Sequence, residues 1–455
     1  MNTPIDKQII DRQIEILGIK DFAKATIREI VAIASGAEKE SGKEFVKMEM
    51  GVPGLTPCQY GVRAQVEALQ NGIAQLYPNI NGLPELKKQA SRFIKAFLDV
   101  DLRPEGCVPV CGSMQGTYAS FVSCSQIKEN GKILFIDPGF PVQKQQCVVM
   151  GTEYETFDVY DYRGDKLGPK LESYLEKGDI TAIIYSNPNN PTWVCLNEDE
   201  LKTIGELATK YDVIVLEDLA YFAMDFRRNL STPFKAPFQR TVAKYTDNYV
   251  LLISGSKAFS YAGERIAVSC ISDTLYNRVY PRLAERYGNG AFGSVFIHRV
   301  LYALSSGTSH SAQYALAAML MAAADGAYDF RKDTSEYGRR AKLLKEVFLN
   351  HGFNIVYDKD LDEPIADGFY FTVGYPGMKG TELAKEILDY GASAIPLDST
   401  GSQQQGIRIC TSFITDKQID LLDERLNMFL QKMITWWLDL NCQRMQTIGW
   451  FQRLL

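Results

Sequence analysis

The chain has 455 residues, 46% of them hydrophobic and 23% charged, with a formal net charge of −6. These proportions are those of an ordinary globular protein of about two to three domains, and charges of both signs without a basic block exclude a nucleic-acid partner. Nine irregularly spaced cysteines and three scattered histidines exclude a disulfide framework and a metal cluster, and suit reduced thiols in the cytoplasm.

The first residues, Met1-Asn2-Thr3-Pro4, lack the apolar core of a signal peptide. Up to residue 44, Ile9, Ile10, Ile14, Ile16, Phe22, Ile27, Ile30 and Val31 recur at helical spacing and predict two amphipathic helices. A strand running into a turn follows at 45–57 and contains Gly51. From 60 to 330, helical stretches alternate with short runs apolar on successive residues: 133–136, 182–185, 213–216, 251–253 and 266–268. Strands of that kind are covered on both faces, which predicts a mostly parallel sheet with helices on either side. The longest apolar run, 314–324, is too short to cross a membrane. Beyond 331 a charged helix, 331–350, precedes isolated short strands at 353–357, 369–373, 394–395 and 407–409. The expected fold is therefore α/β. A three-layer large domain spans 60–330, and a smaller α+β domain combines 1–59 with 331–455. The tail, with Trp436, Trp437, Trp450 and Phe451, reads as a terminal helix packed on the smaller domain.

Ligands of parallel sheets sit at the strand carboxyl ends, and the chemically distinctive residues fall there. Cys111-Gly112-Ser113-Met114 opens a helical stretch, where backbone amides favour a phosphate. Asp137-Pro138-Gly139-Phe140 follows the run at 133–136. Ser186-Asn187-Pro188-Asn189-Asn190-Pro191-Thr192-Trp193 follows the run at 182–185. Glu217-Asp218-Leu219-Ala220-Tyr221 follows the run at 213–216. A carboxylate buried at such a strand end needs a cationic partner. Ser254-Gly255-Ser256-Lys257 follows the run at 251–253, with Arg265 eight positions beyond the lysine. A lone lysine is ordinarily a surface charge. Buried, it becomes a neutral amine able to attack an aldehyde. The serines and Arg265 suit a dianion beside it. In Gly406-Ile407-Arg408 the arginine offers a planar fork that fits a carboxylate.

In this order the segments resemble the pyridoxal-phosphate-dependent aminotransferases of class I/II, those with the aspartate aminotransferase fold. The resemblance runs from about Gly51 to Arg408 in some eight places. It implies pyridoxal 5'-phosphate as cofactor and Lys257 as the Schiff-base lysine. Gly112, Ser113, Met114, Ser254, Ser256 and Arg265 would hold the phosphate, and Phe140 would stack on the ring. Asn190 and Tyr221 would donate to its phenolic oxygen, and Asp218 would keep its pyridine nitrogen charged. Gly51, Asn190 and Arg408 would bind the substrate. The family's Asn-Pro-Thr-Gly loop carries Trp193 here in place of glycine, which alters the expected pocket rim. The resemblance further implies a homodimer with shared sites, reached by Tyr77 and by the segment holding Ser309 and Ser311. Amino acids and 2-oxo acids are then the substrates, in the cytoplasm, with neither nucleic acid nor membrane as partner and no metal. A carbon–sulfur β-lyase on the same fold is the alternative. Gly288-Asn-Gly290-Ala-Phe-Gly293 matches a dinucleotide fingerprint by letter, but no strand leads into it. A regulator built on the same fold would need a DNA-binding segment before residue 60, and the N-terminus is too short and too weakly basic for one.

Overall fold

The computed structural model describes residues 3–451, and the side chains of all of these except residue 24 and residues 436–451. In chain order the strands are β1 (Val46–Lys47), β2 (Cys107–Val110), β3 (Lys132–Asp137), β4 (Tyr154–Asp158), β5 (Ile180–Ser186), β6 (Ile214–Asp218), β7 (Tyr249–Ser254) and β8 (Ala267–Ile271). The later strands are β9 (Asn354–Ile355), β10 (Lys359–Asp360), β11 (Glu363–Pro364), β12 (Tyr370–Gly374), β13 (Ala392–Ser393), β14 (Ile395–Pro396) and β15 (Ile407–Cys410).

Seven strands form one sheet in the order β2-β8-β7-β6-β5-β3-β4. The five from β7 to β4 run parallel, and β8 is antiparallel to both of its neighbours. The apolar runs explain the layering. Within each strand successive side chains point to opposite faces. Leu134, Ile183, Val215, Leu251 and Val268 enter one core together with the helices Pro84–Leu98, Glu198–Tyr211 and His310–Ala324. Ile133, Ala182, Leu216, Leu252 and Ala267 enter a second core with the helix Gly112–Ser125 and residues 292–301. Each fully buried aliphatic side chain contributes roughly 1.5–3 kcal/mol, so a strand lying between two cores stabilises both.

A second sheet, β14-β15-β12-β9, is antiparallel throughout. Its core takes Leu344, Phe348, Phe371, Ile407 and Ile409 from the C-terminal half, with Val46 and Met48 from the N-terminal segment. β1 pairs with β13 in parallel. The two expected N-terminal helices are Lys7–Ile16 and Ile27–Ser41, and their apolar faces meet Leu388. The charged helix expected at 331–350 is two helices, Phe330–Thr334 and Glu336–Asn350, broken at Ser335. Of the run at 266–268, residues 267–268 begin β8, an antiparallel strand rather than a parallel one, because the chain turns straight back after β7. The packing expected of Trp436, Trp437, Trp450 and Phe451 lies outside the described side chains. No helix among the described residues is long and apolar enough to cross a membrane.

Candidate active site

A cavity of about 330 Å³ opens between the carboxyl end of the large sheet and the four-stranded sheet. It is lined by residues far apart in the chain: Gly51, Ser113, Met114, Phe140, Asn190, Asp218, Tyr221, Ser254, Ser256, Lys257, Arg265 and Arg408. Gly112 lies directly behind Arg265, and Tyr77 stands elsewhere.

The turnback after β7 places the lysine. β7 and β8 are paired up to Ser254 and Ala267, and the Gly255 amide donates to the Ile266 carbonyl. Residues 255–266 therefore form a closed loop, and its closure brings Lys257 and Arg265 to one cavity. The Lys257 amine donates to the Gly51 carbonyl and lies 5.3 Å from the Phe369 ring centre. Burial, reinforced by the charges of Arg408 and Arg265, lowers its pKa from the usual lysine value to about 8.

Asp218 ends β6. Burial raises its carboxyl to about 6, although the Ala220 amide and the Gln143 side chain oppose this. Those two donors stand 3.1 and 3.2 Å away, and neither carries a charge. A carboxylate so placed suits a cationic ring nitrogen.

Around Arg265 the backbone forms a cup. Gly112 takes φ +69°, a conformation that side chains rarely adopt. A Cβ there would stand 2.5 Å from Arg265 Nη2. The helix Gly112–Ser125 begins at this point, the Ser113 hydroxyl is buried without a hydrogen-bond partner among the described residues, and the Ser256 amide donates to Ser254 Oγ at 3.0 Å. Free amides, a spare hydroxyl and a guanidinium are the donor set a phosphate requires. The side chains thus fit pyridoxal 5'-phosphate at both its acidic and its basic end.

Arg408 lies on β15 and is 2% exposed. One guanidinium nitrogen donates to the Glu49 carbonyl and another to Asn190 Oδ1 at 3.2 Å, while Nε has no partner among the described residues. Its guanidinium lies over the Tyr370 ring, 4.5 Å from the centre. Tyr221 donates to Tyr370 Oη at 3.0 Å, and burial holds the Tyr221 phenol well above its usual range.

Trp193 is not at the rim. It is fully buried, edge-on behind Tyr221 and Tyr370, with ring centres 5.4 and 6.2 Å away. Room for the indole comes from Gly368, where any Cβ would overlap it. Tyr77 is 93% exposed and does not line this cavity. Beside it the His310 ring meets the Leu76 carbonyl, and Ser311 accepts from Gln65. Ser309 precedes the helix His310–Ala324 and caps it with no side-chain hydrogen bond.

Sequence reasoning missed Gln143, Tyr370, Met50, and Ile27 with Arg28 at the mouth of the cavity. Gln143 could have been found from its position three residues after Phe140. Nothing in the sequence distinguished Tyr370 from a core aromatic, and residues 27–28 carried the signal of a helix start. The glycine-rich stretch 288–293 joins the helix Pro281–Tyr287 to the helix Phe292–Val295, without a strand. No group of three or more metal-ligating side chains occurs among the described residues.

A family model described as "Aminotransferase class I and II" matches residues 43–426. A probable aspartate aminotransferase of Methanocaldococcus jannaschii is 22% identical over 83% of this chain and 89% of its own length. The aspartate aminotransferase of Pyrococcus horikoshii is 26% identical over 53% of this chain and 58% of its own length. Among solved structures, an alanine aminotransferase from Pyrococcus furiosus superimposes with a TM-score of 0.74 at 17% identity, covering 91% of this chain and 98% of that one.

Proposed function

The chain belongs to the class I and II aminotransferases, and from that premise we propose that it moves an amino group between an amino acid and a 2-oxo acid, with pyridoxal 5'-phosphate carried on Lys257. One observation carries this reading: the amine of Lys257, bonded to the Gly51 carbonyl, lines the same cavity as the buried carboxylate of Asp218 and the buried guanidinium of Arg408.

The bound cofactor supplies an electron sink for negative charge at the substrate's α-carbon. The chain does the rest. Arg265, Ser254, Ser256 and the amides after Gly112 hold the phosphate, with Ser113 and Met114 at the same turn. Phe140 covers one face of the ring. Asp218 keeps the ring nitrogen protonated, since a carboxylate and a pyridinium stabilise each other where neither is solvated. Asn190 and Tyr221 donate to the phenolic oxygen. Arg408 grips the α-carboxylate through its free edge, and Gly51 lets the substrate approach the backbone. Lys257 Nζ then moves a proton from and to the substrate's α-carbon, a task suited to an amine that is neutral near pH 8.

The working unit in this reading is a homodimer in the cytoplasm. Exposed Leu76, Tyr77, Tyr302 and Leu304 support an apolar contact with a second copy, to whose site Tyr77 would reach. The eight described cysteines, all free thiols, suit a reducing compartment. The core of the four-stranded sheet, built from N-terminal and C-terminal residues alone, supports a smaller unit from 1–59 with 331–455 beside a large one over 60–330, and Tyr337, Tyr357, Phe369 and Tyr370 of the smaller unit pack into the large unit's core.

Purified protein given pyridoxal phosphate is expected to develop visible absorbance and to exchange amino groups with 2-oxoglutarate. Lys257→Ala is expected to lose both. An unchanged band in that variant, or turnover of cystathionine in preference to amino transfer, would overturn the reading.

A further inference from the structure

Tyr370 belongs to β12 and is 2% exposed, yet it lines the cavity. Thr372 stands opposite Arg408 in the β12–β15 ladder, and Tyr370 stands opposite Cys410. Tyr370 and Arg408 are thus diagonal neighbours on one face, within reach of each other across the strands. The ring of Tyr370 supports the guanidinium, and its hydroxyl meets that of Tyr221 at 3.0 Å. A Cβ on residue 51 would overlap the Tyr370 hydroxyl, so glycine there lets the phenol reach Tyr221. Behind the pair stands Trp193, held against Gly368. Phe369 closes the side, its ring centre 5.4 Å from that of Tyr221. A phenol locked in position by so many neighbours makes the contact with Tyr221 a built one.

We infer that Tyr370 is a positioning residue for the cofactor's phenolic oxygen, acting through Tyr221 as the second member of a two-hydroxyl relay. This rests on the function proposed above. In the structure Tyr221 donates to Tyr370; in the relay Tyr221 turns its hydrogen to the phenolic oxygen, and the Tyr370 hydroxyl, no longer the acceptor, rotates its own hydrogen towards Tyr221. Each donor in such a chain polarises the next, so Tyr221 becomes a stronger donor to a phenolate. Tyr370 thereby stabilises the deprotonated phenol without touching it. The other titratable or charged groups facing the pair are Arg408, Cys410 across the ladder, and Lys257, whose amine binds the Gly51 carbonyl. None of them is a second hydroxyl donor to Tyr221.

The test is a spectroscopic pH titration of the holoenzyme without substrate, following the visible absorbance of bound pyridoxal phosphate. Tyr370→Phe keeps the ring and removes one hydroxyl. Its midpoint is expected to rise by about half a pH unit, a fraction of what a direct hydrogen bond to a charged group delivers. Tyr221→Phe is expected to raise the midpoint further. The double variant is expected to match Tyr221→Phe alone, because the relay passes through Tyr221. Tyr370→Met, which fills the space without a hydroxyl, should move the midpoint in the same direction as Tyr370→Phe. A wild-type band whose midpoint neither Tyr370 variant moves overturns this inference alone. So does a double variant in which the two shifts add. A wild-type protein that never develops the band overturns the proposed function, and this inference with it.

Discussion

Asp218 illustrates how a site residue works against its own fold. Its carboxyl is held near 6, whereas an unfolded aspartate titrates near 4. Between those values the folded chain keeps a proton that the unfolded chain has released. Stability from this group is therefore complete below about pH 4 and is lost as pH rises through about 6. At pH 7 the loss is on the order of 3 kcal/mol in cofactor-stripped protein. Asp218→Asn should remove it. Thermal melts of stripped protein at pH 7 should show the variant melting higher than wild type, with the gap closing towards pH 4. The same variant should bind pyridoxal phosphate more weakly, because the cationic ring nitrogen loses its partner. A variant that melts lower than wild type at pH 7 would mean that Asp218 is not desolvated in the folded chain. Lys257 carries the complementary expectation. Its amine attacks only when neutral, so the rate of cofactor capture by stripped protein should rise with pH through a midpoint near 8. Stopped-flow absorbance would measure it, and a midpoint near that of free lysine would contradict the burial.

The loop after β5 was legible in sequence as a turn, and in the structure Arg408 donates to Asn190 Oδ1 there, a contact the sequence did not announce. What the loop does with Trp193 was not legible. The indole turns inward because Gly368, next to β12, leaves space 175 residues further along the chain. Loop and strand are therefore expected to depend on each other. Gly368→Ala should cost about 1–3 kcal/mol by overpacking. Trp193→Gly should cost about 3–5 kcal/mol by opening a cavity. Combined, the two should cost measurably less than their sum, since the new methyl no longer meets an indole. Denaturant unfolding of the three variants measures this, and strict additivity would show that the two residues do not share a space.

At the scale of the molecule, the site is assembled from both sheets, and the proposed dimer adds a third contributor. Tyr77 stands 93% exposed beside a histidine-bearing helix start rather than inside the cavity of its own chain. Neither Lys257→Ala nor Tyr77→Ala protein should turn over efficiently. Co-refolded in equal amounts, they should recover about a quarter of the wild-type sites, because half of the dimers are hybrids and each hybrid has one intact site. Kinetics of the mixture after size-exclusion chromatography would measure it, and no recovery would place Tyr77 outside any shared site.

The sequence by itself determined the alternation of buried strands with helices, and it carried the chemical identities of Lys257, Asp218, Asn190, Arg265 and Arg408. Periodicity and strand-end position are local properties, and a reactive amine, a carboxylate or a guanidinium is recognisable from its own atoms. The tertiary structure alone decided that β8 turns back antiparallel, so that Lys257 and Arg265 share one closed loop. It also decided that Trp193 is buried rather than at the rim, and that Tyr370 and Gln143 stand beside Tyr221 and Asp218. Those outcomes depend on which distant residues leave room for one another, and close packing is a relation between segments that no single segment records.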